Sequence, residues 1–159
     1  MTCLRRLTLA DMAKAARVHR TSFDARLPDL AGLHTPAEDC AYWCEHLFVT
    51  CCIWGVEAGG LLLGVIAFRQ GAIEQLYVLP QTQGRGIGTI LLQKAKAEHD
   101  LLDLWTFQQN IRARLFYEKH GFVAIEETDG RGNEERAPDM RYRWQRLADD
   151  GLQAGLAAT

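Results

Sequence analysis

The chain has 159 residues, a formal charge of −2, and 48% apolar against 24% charged residues. That length holds one domain with a full hydrophobic core, and the charge balance lacks the basic footprint with which nucleic-acid recognition begins. The N-terminal stretch has no apolar signal core and no apolar run long enough to cross a bilayer. A cytoplasmic location is therefore expected, with neither nucleic acid nor membrane as a partner.

Leu4 to Thr8 reads as a first strand. Thr8 with Asp11 resembles a helix N-cap, and Leu9, Met12, Ala16, His19 and Phe23 then fall on one helical face. A loop rich in turn residues covers Asp24 to His34. Thr35-Pro36-Ala37-Glu38 is a capping box with proline at the first helical position, followed by an apolar stripe of Cys40, Trp43, Cys44 and Leu47. Val49 to Val56 and Leu61 to Phe68 read as strands joined at Ala58-Gly59-Gly60. Ala72 to Leu79 is a further strand, apolar on both faces and so central, and Pro80 ends it. A helix follows from Ile87 to His99, with Ile87, Leu91, Leu92 and Ala95 inward. Then come a strand Leu101 to Phe107, a helix Ile111 to His120 closed by Gly121, and strands Phe122 to Thr128 and Met140 to Trp144. In the last of these Met140, Tyr142 and Trp144 alternate with arginines. The order predicts a mixed α/β fold whose first half is mainly antiparallel. One domain spans residues 1–147, and the small, weakly patterned residues 148–159 read as a tail without regular structure.

The five cysteines, Cys3, Cys40, Cys44, Cys51 and Cys52, are odd in number, which argues against a disulfide framework. Cys40 and Cys44 stand one helical turn apart, but no second ligand pair completes a metal site, so no metal is expected and buried reduced thiols are the simplest reading.

The informative segment is Leu76-Tyr77-Val78-Leu79-Pro80-Gln81-Thr82-Gln83-Gly84-Arg85-Gly86-Ile87-Gly88-Thr89. A buried strand enters a glycine-rich turn and a helix begins at once, so that unpaired amides and the helix dipole favour an anion in front of them. Missing β-carbons at Gly84, Gly86 and Gly88 allow a pyrophosphate to approach, and Arg85 adds a charge at the rim. A turn that only packs a helix on a sheet would use the same glycines for geometry alone. A P-loop requires a lysine before Thr89, and Gly88 stands there. A dinucleotide fingerprint wants glycine at Thr89 and an acidic strand end near Asp103, which instead lies inside a strand.

The pattern that does fit is Gln-x-x-Gly-x-Gly at Gln83, Gly86 and Gly88, and it resembles the GNAT superfamily of N-acetyltransferases. The resemblance extends from Gly64 to Phe122. It includes the lead-in Tyr77, Val78 and Pro80 and a second motif, Asn110-Ile-Arg-Ala-Arg-Leu-Phe-Tyr-Glu-Lys-His-Gly-Phe122. It implies a sheet of about seven strands with about four helices, and acetyl-CoA as co-substrate in a cleft between two splayed parallel strands, here Ala72–Leu79 and Leu101–Phe107. The pantetheine would pair with backbone near Leu76 and Val78, and the pyrophosphate would rest on Gln83, Gly84, Arg85, Gly86, Ile87, Gly88 and Thr89. Asn110 matches the family residue that bonds the pantetheine, its alternative being a simple N-cap. Tyr117 matches the tyrosine that protonates the leaving thiolate, its alternative being a packing aromatic; Asn110, Ala113 and Tyr117 share a helical face and Phe116 should face the core.

Transfer to an amine also needs a base. An amine of pKa ~10.4 is neutral in only about one molecule per thousand near pH 7.4, a cost of roughly 4 kcal/mol. Glu74 lies in an otherwise apolar strand, on the face of Leu76 and Val78 by alternation. Polyamine acetyltransferases of the family carry a glutamate at the matching place and many relatives do not, so a water chain or an arginine pair for Glu74 are the alternatives. His34 is a surface residue in the loop that borders the acceptor in relatives. Glu126, Glu127, Asp129, Glu134, Glu135 and Asp139 form either a solvated hairpin or an acidic lip.

The expected reaction is direct attack of a small-molecule or peptide primary amine on acetyl-CoA. A non-catalytic acyl-CoA-binding sensor needs only the glycine turn, and keeping Tyr117, Asn110 and Glu74 favours the enzyme. A nucleotide-phosphate binder lacks its lysine. Homodimers are common in the family, although no segment here identifies one, and nothing in the sequence specifies the acceptor.

Overall fold

In the computed structural model, which describes residues 1–148, the first helix starts where its cap predicts. The Thr8 amide donates to Asp11 Oδ2 at 2.7 Å, one 3₁₀ turn over Leu9–Asp11 follows, and α1 runs through Met12–Arg26. Arg5 grips the same carboxylate at 2.7 and 3.0 Å and holds it well below the ordinary range. The expected loop is shorter than its composition suggests, because α1 continues past Asp24 and Pro28–Leu30 forms a further 3₁₀ turn. Thr35 accepts from the Glu38 amide, as its capping box requires. The helical segment α2 comprises Pro36–Ala41, a π-helical stretch Tyr42–Leu47 and Phe48–Thr50.

The strand expected from Val49 begins later. The Thr50 hydroxyl bonds back to the His46 carbonyl and the Cys51 amide to that of Leu47, both at 2.8 Å, so the helix persists through Thr50 despite its β-branched residues. The remaining elements are β1 Cys3–Arg6, β2 Cys52–Ala58, β3 Leu61–Arg69, β4 Gly71–Val78, α3 Ile87–Glu98, β5 Leu101–Phe107, α4 Ile111–Lys119, β6 Val123–Glu127 and β7 Asp139–Gln145.

The seven strands lie in the order β1-β2-β3-β4-β5-β7-β6. Every pairing is antiparallel except β4 with β5, as the mixed pattern predicts. The parallel pair is joined only at Gly71–Leu102 and Ala72–Asp103 and then opens. One face of the sheet packs Ile66, Phe68, Leu102 and Tyr142 against Leu91 and Leu92 of α3 and Tyr117 of α4. The other packs Ile53 and Val65 against Met12 of α1 and Trp43 and Leu47 of α2. β4 is central in order, yet only Ile73 in it is fully buried. Its C-terminal half borders the opening rather than another strand.

Candidate active site

The opening between β4 and β5 is a cleft of about 460 Å³, walled by both sheet faces: Ser22, Phe23 and Arg26 from α1, Gly86 to Thr89 from the glycine turn and α3, and Asn110 and Tyr117 from α4. The Leu79 amide donates to Leu63 on β3 at 2.8 Å, so strand alternation turns the backbone polar groups of Leu76 and Val78 away from β3 and into the cleft. These are the positions expected to pair with a pantetheine. The Val78 carbonyl, however, already accepts from Ser22 Oγ at 3.0 Å and Gln83 Nε2 at 2.9 Å. The Val78 amide and the Leu76 groups carry any such pairing.

The glycines of the turn do different work. Gly84 and Gly86 have φ of 79° and 83°, and a β-carbon on either would meet nothing within 4 Å. They supply left-handed backbone with open space in front. Gly88 instead lets Phe116 approach: a β-carbon there would stand 3.3 Å from the ring. The first intrahelical bond of α3 runs from the Ile90 amide to the Gly86 carbonyl at 3.0 Å, so the amides of Ile87, Gly88 and Thr89 precede it and are open to a ligand. The Gln83 side chain is turned inward onto Val78 and also accepts from Arg26 at 3.1 Å. Arg85 is exposed and is not among the residues that line the cleft, whereas Arg26 is. The Thr89 hydroxyl lies 3.2 Å from His120 Nε2, a ring whose proton affinity is lowered by burial and then by Lys96 and Lys119.

Asn110, Ala113 and Tyr117 all line the cleft, as their shared face predicts. Asn110 Oδ1 caps α4 through the Ala113 amide at 3.2 Å, leaving its amide nitrogen for a ligand. Tyr117 is buried, and burial alone pushes its phenol well above the usual tyrosine range, so it holds its proton at neutral pH. Phe116 joins the core cluster but also edges the cleft beside Gly88.

Glu74 departs from its expected place. Phe68 pairs with Ile73 and Ala67 with Gln75, leaving Glu74 as the extra residue of a β-bulge. The bulge breaks the alternation, so Ile73 rather than Glu74 shares the cluster of Leu76 and Val78. The Glu74 carboxylate lines the cleft and accepts from Arg69 Nε at 2.8 Å. It lies near Tyr42 and Cys51, whose proton affinities burial raises first and Glu74 raises further.

Several site residues outside the motifs gather on the α1 side, around Tyr77 of the lead-in. Tyr77 stacks on His19 with ring centroids 4.3 Å apart, and His19 Nδ1 accepts from Trp43 Nε1 at 3.0 Å. Burial, and then the Arg20 charge, push His19 down to about 4, so the ring is neutral. Ser22 and Arg26 stand one turn apart on α1, a polar pair whose helical spacing was their only signal. Phe23 meets Phe107 edge-on across the cleft at 6.2 Å.

Elsewhere His34 is clamped by Glu38 at 3.4 Å and Glu134 at 3.0 Å, which raise its proton affinity, Glu134 most. Glu126 pairs with Arg141 and Asp129 with Arg131, so the acidic run is partly neutralised. The five thiols are free; Cys3 is exposed and the others half-buried, not enclosed as expected, and Cys40 and Cys44 sulfurs lie 3.8 Å apart. No group of three metal-ligating side chains and no helix long and apolar enough to cross a membrane occurs among the described residues. The tail expected beyond residue 147 lies almost wholly outside them.

A sheet split by one parallel pair carries a helix N-terminus, entered through a glycine turn, at the mouth of its opening. The sequence model of the Acetyltransferase (GNAT) domain matches residues 45–124, half of the chain, and the chain belongs to this family of acetyltransferases. It is 33% identical to a probable N-acetyltransferase of Mycobacterium tuberculosis over 62% of this chain and 63% of that protein. It is 34% identical to the peptidyl-lysine N-acetyltransferase YiaC of Escherichia coli, over 46% and 51%. The chain thus spans about half to just under two thirds of the length of these relatives. In fold it is similar to YjaB of Escherichia coli, with TM-score 0.75 and 18% identity over 92% of this chain and 99% of that one. It is similar also to the PaiA N-acetyltransferase of Thermoplasma acidophilum, solved with coenzyme A, with TM-score 0.73 and 21% identity over 91% and 99%.

Proposed function

We propose that the protein is an acetyl-CoA-dependent N-acetyltransferase acting on a primary amine by direct attack. The observation that carries this reading is that Tyr117 stands in the wall of the splayed cleft whose mouth is the glycine turn. The residues present fit acetyl-CoA: open amides at Ile87, Gly88 and Thr89 for the diphosphate, backbone groups of Leu76 and Val78 and the Asn110 amide for the pantetheine arm, and a cleft that continues to the far face of the sheet. When bound, acetyl-CoA supplies the activated acetyl thioester.

Leu76 and Val78 hold that arm along β4, and Tyr117 donates its phenolic proton to the departing sulfur. Ser22, Phe23 and Tyr77 wall the acceptor side. Glu74, engaged by Arg69, takes the amine proton directly or through water. A peptide or small-molecule amine enters from the α1 side; YiaC, named for peptidyl-lysine, makes lysine-bearing peptides the first acceptors to test.

Thiol release from acetyl-CoA with a panel of amines, run beside a CoA-binding titration, tests the reading. Turnover with at least one amine is expected. CoA binding without turnover on any amine would instead favour an acyl-CoA sensor, which needs the turn but not Tyr117.

A further inference from the structure

The diphosphate end of the cleft has open amides, and the arginine inside the turn, Arg85, is not among the residues that line the cleft. Arg26, the last residue of α1, is among them. Its Nη2 donates to Gln83 Oε1 at 3.1 Å, and Gln83 in turn donates to the Val78 carbonyl at 2.9 Å. One turn earlier, Ser22 Oγ bonds that same carbonyl at 3.0 Å. This chain of bonds fixes the end of α1 against the start of the glycine turn. It sets the guanidinium against Gln83, the residue that leads into Gly84 and Gly86, and all four line the same cleft.

No carboxylate competes for it among these contacts. The nearby Asp24 is committed to Arg20 at 3.2 Å, and Glu74 to Arg69. The remaining basic side chains of the wall, Arg112, Lys119 and His120, come from α4 and the residue after it, and His120 Nε2 lies 3.2 Å from the Thr89 hydroxyl; Arg26 is the basic residue that the α1 side contributes. A guanidinium has five donors in a rigid fork and spends one here on a neutral amide oxygen, so it can take a phosphate oxygen without breaking that bond.

We propose that Arg26 is a ligand of the cofactor diphosphate, contributed by the helix that walls the acceptor side. The proposal rests on the acetyl-CoA reading above. The bland alternative is a staple: Arg26 would only hold α1 to the turn and favour the helix C-terminus by its charge.

The test is titration of CoA and of dephospho-CoA, which keeps the diphosphate but lacks the 3′-phosphate, into wild type, Arg26→Gln and Arg26→Lys. Each titration is run at two salt concentrations, with circular dichroism and melting curves as folding controls. Arg26→Gln should weaken both ligands equally, by about tenfold, the low end for a charge-assisted hydrogen bond. It should also flatten the salt dependence of binding, and Arg26→Lys should recover part of the loss. Unchanged affinity, or a loss with an unchanged salt dependence, would leave only the staple and overturn the proposal. A loss confined to CoA would move Arg26 to the 3′-phosphate and overturn it as well. Failure of wild type to bind CoA at all would overturn the underlying reading instead.

Discussion

On the α3 and α4 side the cleft is bounded by the amides and glycines of a turn and by the side chains of one short helix, whereas on the α1 and α2 side it is bounded by a stack of side chains interlocked across distant segments. The first wall takes its shape from local chain geometry: positive φ at Gly84 and Gly86, a helix start at Ile87, a capped helix at Asn110. The second depends on contacts between distant segments, with Tyr77 of β4 lying on His19 of α1, and His19 held by Trp43 of α2. A wall of the first kind can keep one cofactor under many sequence changes. A wall of the second kind can be recut for a new acceptor by replacing a few side chains.

The sharpest way to break that contrast is Gly88→Glu. The new β-carbon would press on Phe116 at 3.3 Å, and the carboxylate would face the anion site with the wrong charge. CoA binding should fall below detection by calorimetry while circular dichroism stays that of a folded protein. Binding at wild-type strength would sink the assignment of this turn.

The second wall should betray itself through acid. His19 has an ordinary value of 6.5 lowered to about 4 in the folded chain. Its stabilising contribution is therefore complete above about pH 6.5 and is lost as pH falls towards 4, because the unfolded chain takes up the proton first. The shift corresponds to roughly 3 kcal/mol. His120, also lowered, adds in the same sense, and His34, raised by its glutamates, runs the other way. The paired Asp11 and Asp39 lose their contributions only at still lower pH. Denaturant melts between pH 7 and 4 should show the loss in wild type and much less of it in His19→Gln. An equal slope in both would mean that His19 is not the group responsible.

Tyr117→Phe addresses the first wall again with a smaller effect. Turnover should drop by about a hundredfold, the lower range for a general acid, with CoA affinity within about twofold of wild type. A rate near wild type would mean that water protonates the sulfur and that Tyr117 merely packs.

The same contrast explains what could be read from the residues. The glycine turn, the caps at Thr8 and Thr35 and the inward face of α3 follow from short-range rules, and the structure has them; the splayed pair is what the family resemblance implies, and it too is present. The α1 and α2 wall is nearly invisible in the sequence. His19, Ser22 and Arg26 carry no local pattern beyond helical spacing, and their partners lie far away in the chain. Two local readings failed, one to a helix that runs on and one to a tertiary pairing. Val49 and Thr50 stay helical because the turn before them continues. Glu74 leaves its expected face because strand alternation cannot foresee a bulge that only the pairing with β3 creates.

Glu74 offers the smallest and most discriminating effect. Its bond to Arg69 is a half-exposed pair, with side-chain exposures of 30% and 51%, and such pairs contribute little stability. Glu74→Gln should therefore fold normally. If Glu74 collects the amine proton, its loss removes one titrating base. The rate with the best acceptor should fall by about tenfold, less than for an irreplaceable base because water can take over. The acidic limb of the pH–rate profile should also become shallower, keeping only the rise that comes from deprotonation of the amine itself. Arg69→Gln separates the two roles open to Glu74. Were the carboxylate only a partner for Arg69, both variants would show the same small change in melting temperature and neither would alter the profile. A shallower limb in Glu74→Gln alone assigns the proton to the bulge, on the side of the cleft where the acceptor wall stands.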